Sequence, residues 1–337
     1  MDKRIARMTG CGPNRREFGA GLLGFGVTMA LSHPLSAQAA WPKGGTLKLV
    51  VPFPPAGATD VIGRVVAEKL TGLWGAQIVV ENKGGAGGNI GTDTVAKAAP
   101  DGNTMLIVSV GMATNPFLYK ALSYDPVRDF APVSLLCLVP NIMIVPPNHP
   151  AATVADFVRL AREKPGTFTF GSSGIGTSVH LSGELFQKLT GVKMVHVPYR
   201  GTAEAKNDLI AGRLDCIFDN ITAALPQARG GQVKALGITT ARRSKLAPDL
   251  APVNDTVPGF DVSSWFAVFV PAKTPASIVE KMNADIKTAL ADAAVAEKLG
   301  KLGAEIVGST PGELAAFLKG ESDKWGSLIK EIGVSAG

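Results

Sequence analysis

Past residue 44 the apolar positions alternate between short runs and helically spaced stripes, with glycine and proline between them. Leu47, Leu49, Val50 and Val51 read as a buried strand, and Val61, Ile62, Val65, Val66 and Leu70 recur at helical spacing. The same succession predicts a strand over 77–80, a helix over 94–99 stopped by Pro100-Asp101-Gly102, and a strand over 105–108. Residues 133–145 are apolar with Pro140 inside and Pro146-Pro147 after, which suggests one long strand crossing between lobes and a stiff exit. Further strands are expected at 168–170, 194–197, 214–218, 236–239 and 265–270, and helices at 153–164, from Ser178 through Leu189, at 203–211 and at 221–228. Helices then dominate, with Thr274-Pro275 and Thr310-Pro311-Gly312-Glu313 as start signals. Strand and helix in alternation is the pattern of an α/β fold.

The junctions between strand and helix hold the candidate chemistry. In Pro52–Asp60 the prolines cannot donate backbone hydrogen bonds, while Gly57 and the small Ala56 and Ala58 let a ligand approach the main chain. Free N–H groups at the start of the next helix would favour an anion there, and an organic carboxylate is the ligand expected. An ordinary proline-stiffened turn fits the same residues. Ser109 to Asn115 reads as a small polar loop, either another wall of the site or a solvent loop. The stretch from Gly171 to Ser178 repeats the opening arrangement, and Ser172, Ser173, Thr177 and Ser178 offer hydroxyl donors. Arg200 suits an anion or a lobe-surface charge; Asp219 and Asn220 suit a ligand amino or hydroxyl group, or the cap of the following helix.

Other chemistries miss by spacing. In the glycine-rich run 84–91, a dinucleotide fingerprint begun at Gly85 and Gly87 needs glycine at 90, where Ile90 stands. A nucleophile elbow counted from Gly171 through Ser173 needs glycine where Ile175 stands, which weakens a serine hydrolase, and His180 reads as a contact of the cap region. The metal-ligand spacings CxxC and HExxH are absent, and four histidines are spread along the chain, so no metal or cofactor is expected.

Composition changes the picture mainly at the N-terminus. Lys3, Arg4, Arg7, Arg15 and Arg16 precede the apolar stretch 18–31, and Ala37-Gln38-Ala39 offers a cleavage site before Ala40; 1–39 is read as an export signal, with a run at 14–18 like a twin-arginine signal. Its apolar part, about 14 residues, falls short of the roughly 20 needed to span a bilayer. The chain of 337 residues carries a formal charge of +6; without five basic and two acidic residues of the leader, 29 Lys and Arg face 26 Asp and Glu, a net of +3. These charges are scattered and aromatic residues are 6% of the chain, so nucleic acid is not an expected partner. Cys137 and Cys216 sit in apolar contexts and read first as free buried thiols, with a disulfide as the alternative.

Six segments together carry a family resemblance: VPFPPAGATD at 51–60, ENKGGAGGNIGTDTVAKAAPDG at 81–102, YDPVRDFAPVSLL at 124–136, TFGSSGIGTSVHLSGELF at 169–186, VPYRGTAEAKNDLIAGRLD at 197–215 and PGFDVSSWFAVFVPAKTP at 258–275. In this order they resemble the Bug receptors, the TctC-like substrate-binding components of tripartite tricarboxylate transporters. The resemblance implies a two-lobed periplasmic binding protein of the type II-like kind with a central ligand cleft, lobe one at 40–140 plus 264–337 and lobe two at 141–263. It implies a non-enzymatic periplasmic receptor that captures a small carboxylate solute and serves membrane permease subunits; a solute sensor for a signalling partner is the alternative, and a monomer is expected although no residue pattern bears on oligomeric state. Carried over by position, Phe53, Ala56, Gly57, Ala58, Thr59 and Asp60 form one jaw and Tyr199, Arg200, Gly201 and Thr202 the other. Ser109, Gly111, Ser172, Ser173, Thr177, Ser178 and Asp219 complete the walls. The chain departs from the family pattern at Ala56, where the loop usually has glycine, at Gly84 for a proline, and at Glu204 and Lys206 for proline and leucine.

Overall fold

A computed structural model describes residues 41–42 and 44–336, so the predicted export signal at 1–39 lies outside the described residues. The chain opens with β1 (Thr46–Val51), α1 (Ala58–Trp74), β2 (Gln77–Asn82), α2 (Asn89–Ala96), β3 (Thr104–Val108), α3 (Gly111–Leu118) and β4 (Phe130–Val145). It continues through α4 (Val154–Glu163), β5 (Phe168–Ser172), α5 (Ser178–Thr190), β6 (Met194–Pro198), α6 (Thr202–Ile210), β7 (Cys216–Asn220), α7 (Ile221–Arg229) and β8 (Lys234–Ile238). It closes with β9 (Ser263–Pro271), α8 (Ala276–Ala291), α9 (Ala293–Lys301), β10 (Glu305–Ile306) and α10 (Pro311–Ile332).

The hydrophobic stripe of α1 works as its spacing predicts. Ile62, Val66 and Leu70 are buried against the sheet that contains Leu49 and Ile107, each side chain contributing about 2 kcal/mol. Parallel pairing of β1 with β2 and β3 follows from helical crossovers, and β9 then adds antiparallel to β3.

Strand β4 is the spine of the two-lobed architecture. Its first part pairs with β9 as far as Pro140↔Ser263, and from Asn141 its partners are β7 and β8. Pro140, lacking an N–H, falls where the strand changes partners, the position at which a missing ladder donor costs least. Beyond β7 lie β5 and β6, in parallel. The path across the sheet is therefore β2-β1-β3-β9-β4-β7-β5-β6. Each of β1, β3, β5, β6 and β7 leads into a helix, and residues at all five junctions line one cavity.

Several boundaries depart from the sequence expectations. The helix expected at 94–99 starts at Asn89 and ends at Ala96, because the glycine run supplies its positive-φ entry at Gly88. The polar stretch 109–115 is mostly α3 and not a loop; its buried Met112, Ala113 and Leu118 fasten it despite Pro116. Gly171 and Ser172 belong to β5, and the strand expected at 214–218 runs from Cys216 to Asn220. Thr274 does not cap α8: its hydroxyl is buried without a hydrogen bond and the cap position falls on Pro275. The capping boxes of α4 (Thr153 with Asp156) and α10 (Thr310 with Glu313) both form. Cys137 and Cys216 are free and buried, with burial pushing the Cys137 thiol up to about 12.

Candidate functional site

Where the strand ends converge, a cavity of about 460 Å³ opens between the two halves of the fold, a volume suited to a small ligand. Gly57 and Gly201, far apart in sequence, line this one cavity. So do Phe53, Ala56, Ala58, Thr59, Ser109, Gly111, Ser173, Thr177, Ser178, Arg200, Thr202 and Asp219 among the residues singled out from sequence. Asp60, Ser172 and Tyr199 stand behind the wall.

Each of those three has an identifiable occupation. Asp60 lies in the first turn of α1, 3% exposed. Its Oδ2 accepts the Ala56 N–H at 2.9 Å, and its carboxylate also takes the Arg64 guanidinium and, at 2.9 Å, the Asn82 side-chain amide. Burial alone would raise this carboxyl, but Arg64, the Ala56 amide and Asn82 outweigh it and hold it below its ordinary value. Asp60 therefore fixes the shape of the loop. Asn82 adds a second tie by donating to the Phe53 carbonyl at 3.0 Å. Ala56 is held at φ +65°, the left-handed region that a side chain occupies only at a cost.

On the opposite side, Ser172 is fully buried and its hydroxyl meets His196 Nε2 at 2.6 Å while accepting the Gly174 N–H at 3.1 Å. Burial, with the His180 ring beside it, pushes His196 down to about 3, so its ring is neutral. His180 accepts the Gly176 N–H at 3.2 Å and faces Glu184. Tyr199 donates to Asp208 at 2.6 Å, beneath the loop that leads to Gly201.

The helix starts that face the cavity are sparsely capped. Gly57 before α1 and Gly201 before α6 are extended, and no side chain caps either helix. Asn220 precedes α7 without capping it; its amide turns instead to Asn141 and, at 2.7 Å, to Ser264. Only α5 has a side-chain cap among these, Thr177 accepting from the His180 N–H. First-turn amides of α1 and α6 are thus free of intrahelical partners at a common cavity, where the two helix dipoles favour negative charge.

The two halves also touch across the cavity. Thr114 on α3 donates to the Gly176 carbonyl at 3.0 Å, and the Ser178 and Ser264 hydroxyls lie 2.5 Å apart. Gly176, at φ +81°, is strained for any side chain, and an added Cβ would sit 2.3 Å from Leu118 Cδ1, which would have to move.

Gly87, Lys206, Glu204, Asn220, Thr222, Ser264 and Phe266 line the cavity as well. Of these, Gly87 lies in the glycine run, and Glu204 and Lys206 stood out only as departures from a pattern. Ser264 and Phe266 gave no local signal, since they alternate within a strand whose partner cannot be read from the chain alone. A second depression, about 560 Å³, lies between α4, the end of α5 and residues 256–258. Its charged groups are engaged: Arg159 pairs with Glu163 at 2.9 Å, and Arg162 donates to the Thr190 carbonyl at 2.7 Å. Among the described residues no cluster of three or more His, Cys, Asp or Glu is placed to hold a metal ion, and no helix is long and apolar enough to cross a membrane.

Residues 62–334 match the profile of the tripartite tricarboxylate transporter family receptor, TctC. A protein of the tcbD-tcbE intergenic region of Pseudomonas sp. (strain P51) is 40% identical over 289 residues, 85% of this chain and 86% of that protein. BugT of Bordetella pertussis is 34% identical, covering 92% of this chain and 95% of its own length. The structure is similar to that of R. palustris Rpa4515 with adipate: TM-score 0.84, 36% identity, 88% of this chain and 99% of the other.

Proposed function

This chain belongs to the tripartite tricarboxylate transporter receptor family, TctC, and from that premise we propose that it is a periplasmic receptor that captures a small organic carboxylate and delivers it to membrane permease subunits. The observation that carries the reading is the shared cavity of Gly57 and Gly201, with an uncapped helix start on either side. A carboxylate there accepts from main-chain donors of both halves, and neither half offers the full set alone. Closure around the ligand follows, because the liganded closed form gains contacts that an open form lacks. In this reading lobe one is 40–140 plus 264–337 and lobe two is 141–263. The jaws are Phe53 to Asp60 and Tyr199 to Thr202, with Asp60 and Tyr199 acting from behind the surface. The similar Rpa4515 structure, with adipate, supports a carboxylate as the ligand class.

A hydrolase built on the 172–178 loop has less support. The serine that meets a histidine, Ser172, is fully buried, and the serine in the cavity, Ser173, is not the one His196 holds. The test is a ligand screen by thermal shift and calorimetry on the mature protein, with aliphatic di- and tricarboxylates, acidic amino acids and aromatic acids. At least one acid should raise the melting temperature by several degrees in proportion to its concentration. If none does, the carboxylate reading is wrong; turnover of an ester that Ser173→Ala abolishes would replace it with the hydrolase.

A further inference from the structure

We propose, on the carboxylate-receptor reading above, that Lys206 is a specificity-determining residue of the cavity: it takes a second acidic group of the ligand, so that diacids bind in preference to monoacids of the same carbon number. Lys206 lies on α6, 6% exposed, and lines the cavity. Its Nζ is 3.1 Å from Asp219 Oδ2, but the approach is off the hydrogen-bonding direction and Oδ2 has no hydrogen-bond partner. The remaining neighbour is the Ala223 carbonyl, at 3.5 Å. An ammonium group carries three donors, and a buried charge is stable only when paired and hydrogen-bonded. Asp219 supplies the charge balance that keeps Lys206 in the interior; its other oxygen is already engaged by the Asn220 N–H at 2.9 Å. What Asp219 leaves unmade is the directional hydrogen bonding of the ammonium.

The charge census of the cavity makes this lysine decisive. Its charged lining residues are Arg200 and Glu204, both exposed, and the buried Lys206 and Asp219, so their formal charges cancel. Net side-chain charge therefore does not select the ligand. A monoacid held by the amides of α1 and α6 leaves Lys206 as it is. A diacid brings a second carboxylate to it, and a charge-assisted hydrogen bond inside a buried site is among the stronger ones.

The experiment is calorimetric titration of the mature protein with matched pairs: succinate and butyrate, glutarate and pentanoate, adipate and hexanoate, terephthalate and benzoate. At least one diacid should bind ten-fold or more tighter than its monoacid. Lys206→Met should bring that diacid to the level of the monoacid and leave the monoacid within two-fold. Because Lys206→Met strands the Asp219 charge, the double variant Lys206→Met/Asp219→Asn, which removes both charges, is the second arm and should behave alike. Equal binding of diacids and monoacids by the unaltered protein overturns the role of Lys206 and leaves the carboxylate reading standing, as does a variant that loses both series alike. Absence of binding by every acid overturns the carboxylate reading and this inference with it.

Discussion

The two jaws of the proposed site are built by opposite means. The first, Phe53 to Asp60, faces the cavity with main chain and uncharged side chains, and its one charged group is turned away to brace the loop. The second jaw and its neighbours put Arg200, Glu204 and Lys206 into the wall, over a support of paired polar side chains, Ser172 with His196 and Tyr199 with Asp208. A rigid amide cradle attracts any small anion. Discrimination among anions then has to come from the side with side chains, which is why Lys206 and not the proline-rich loop is expected to set preference.

Four measurements break or sharpen this contrast. The largest effect belongs to the support of the second jaw. His196 titrates at about 3 in the folded protein against an ordinary value of 6.5. Between those pH values the unfolded chain binds a proton that the folded one refuses, so stability falls as pH drops from 6.5 toward 3, by on the order of 4 kcal/mol in all. His196→Gln should reduce the slope of urea-unfolding stability against pH across that window, leaving the part that belongs to His149, which burial also lowers, and to paired carboxylates such as Asp60; an unchanged slope would assign the whole loss to those other groups. Next is the brace of the first jaw. Asp60→Ala leaves the Ala56 amide without its acceptor and takes one acceptor each from Asn82 and Arg64, which keep the Phe53 carbonyl and the Asn82 Oδ1; it should cost about 3 kcal/mol of unfolding free energy, with ligand binding lost as well. If binding survives at full affinity, the loop does not need its brace.

Smaller effects separate amide from side chain. An added Cβ at Gly57 meets only the Pro54 carbonyl oxygen, at 3.7 Å. Gly57→Ala should therefore change stability by about 0.5–1 kcal/mol, the ordinary difference at an N-cap, while its methyl in the cavity weakens acid binding about ten-fold, roughly 1.4 kcal/mol. Affinity unaffected by the methyl would remove the main-chain role of this jaw. The smallest expected effect is a gain: Ala56→Gly relieves the φ of +65°, and the relief less the extra freedom of glycine in the unfolded chain is about 0.5 kcal/mol. Denaturant midpoints would register it, and a fall in stability would show that the loop is not strained there.

Much of the scaffold was legible because its signals are local. The stripe from Val61 to Leu70, the long strand interrupted by Pro140, and the capping box at Thr310 and Glu313 each follow from spacing within a single element. Errors clustered where a short segment depends on neighbours. Residues 109–115 read as a loop because they are small and polar, yet burial of Met112, Ala113 and Leu118 makes α3 a helix. Thr274 read as a cap, but its hydroxyl is buried without a hydrogen bond.

The chain by itself determined the kind of protein this is: alternating strands and helices, glycine- and proline-marked turns at strand ends, and an ordered set of segments specific enough to identify the family. Local periodicity and turn chemistry suffice for that, since they act over a few residues. Only the tertiary structure decided which groups meet. It put Asp60 under the loop and not in the cavity, turned Asn220 from a cap into a partner of Ser264, and set Lys206 against Asp219. Those outcomes depend on strand order and on which half of the molecule closes over which, and contacts across dozens of residues leave no mark in the spacing of a single element.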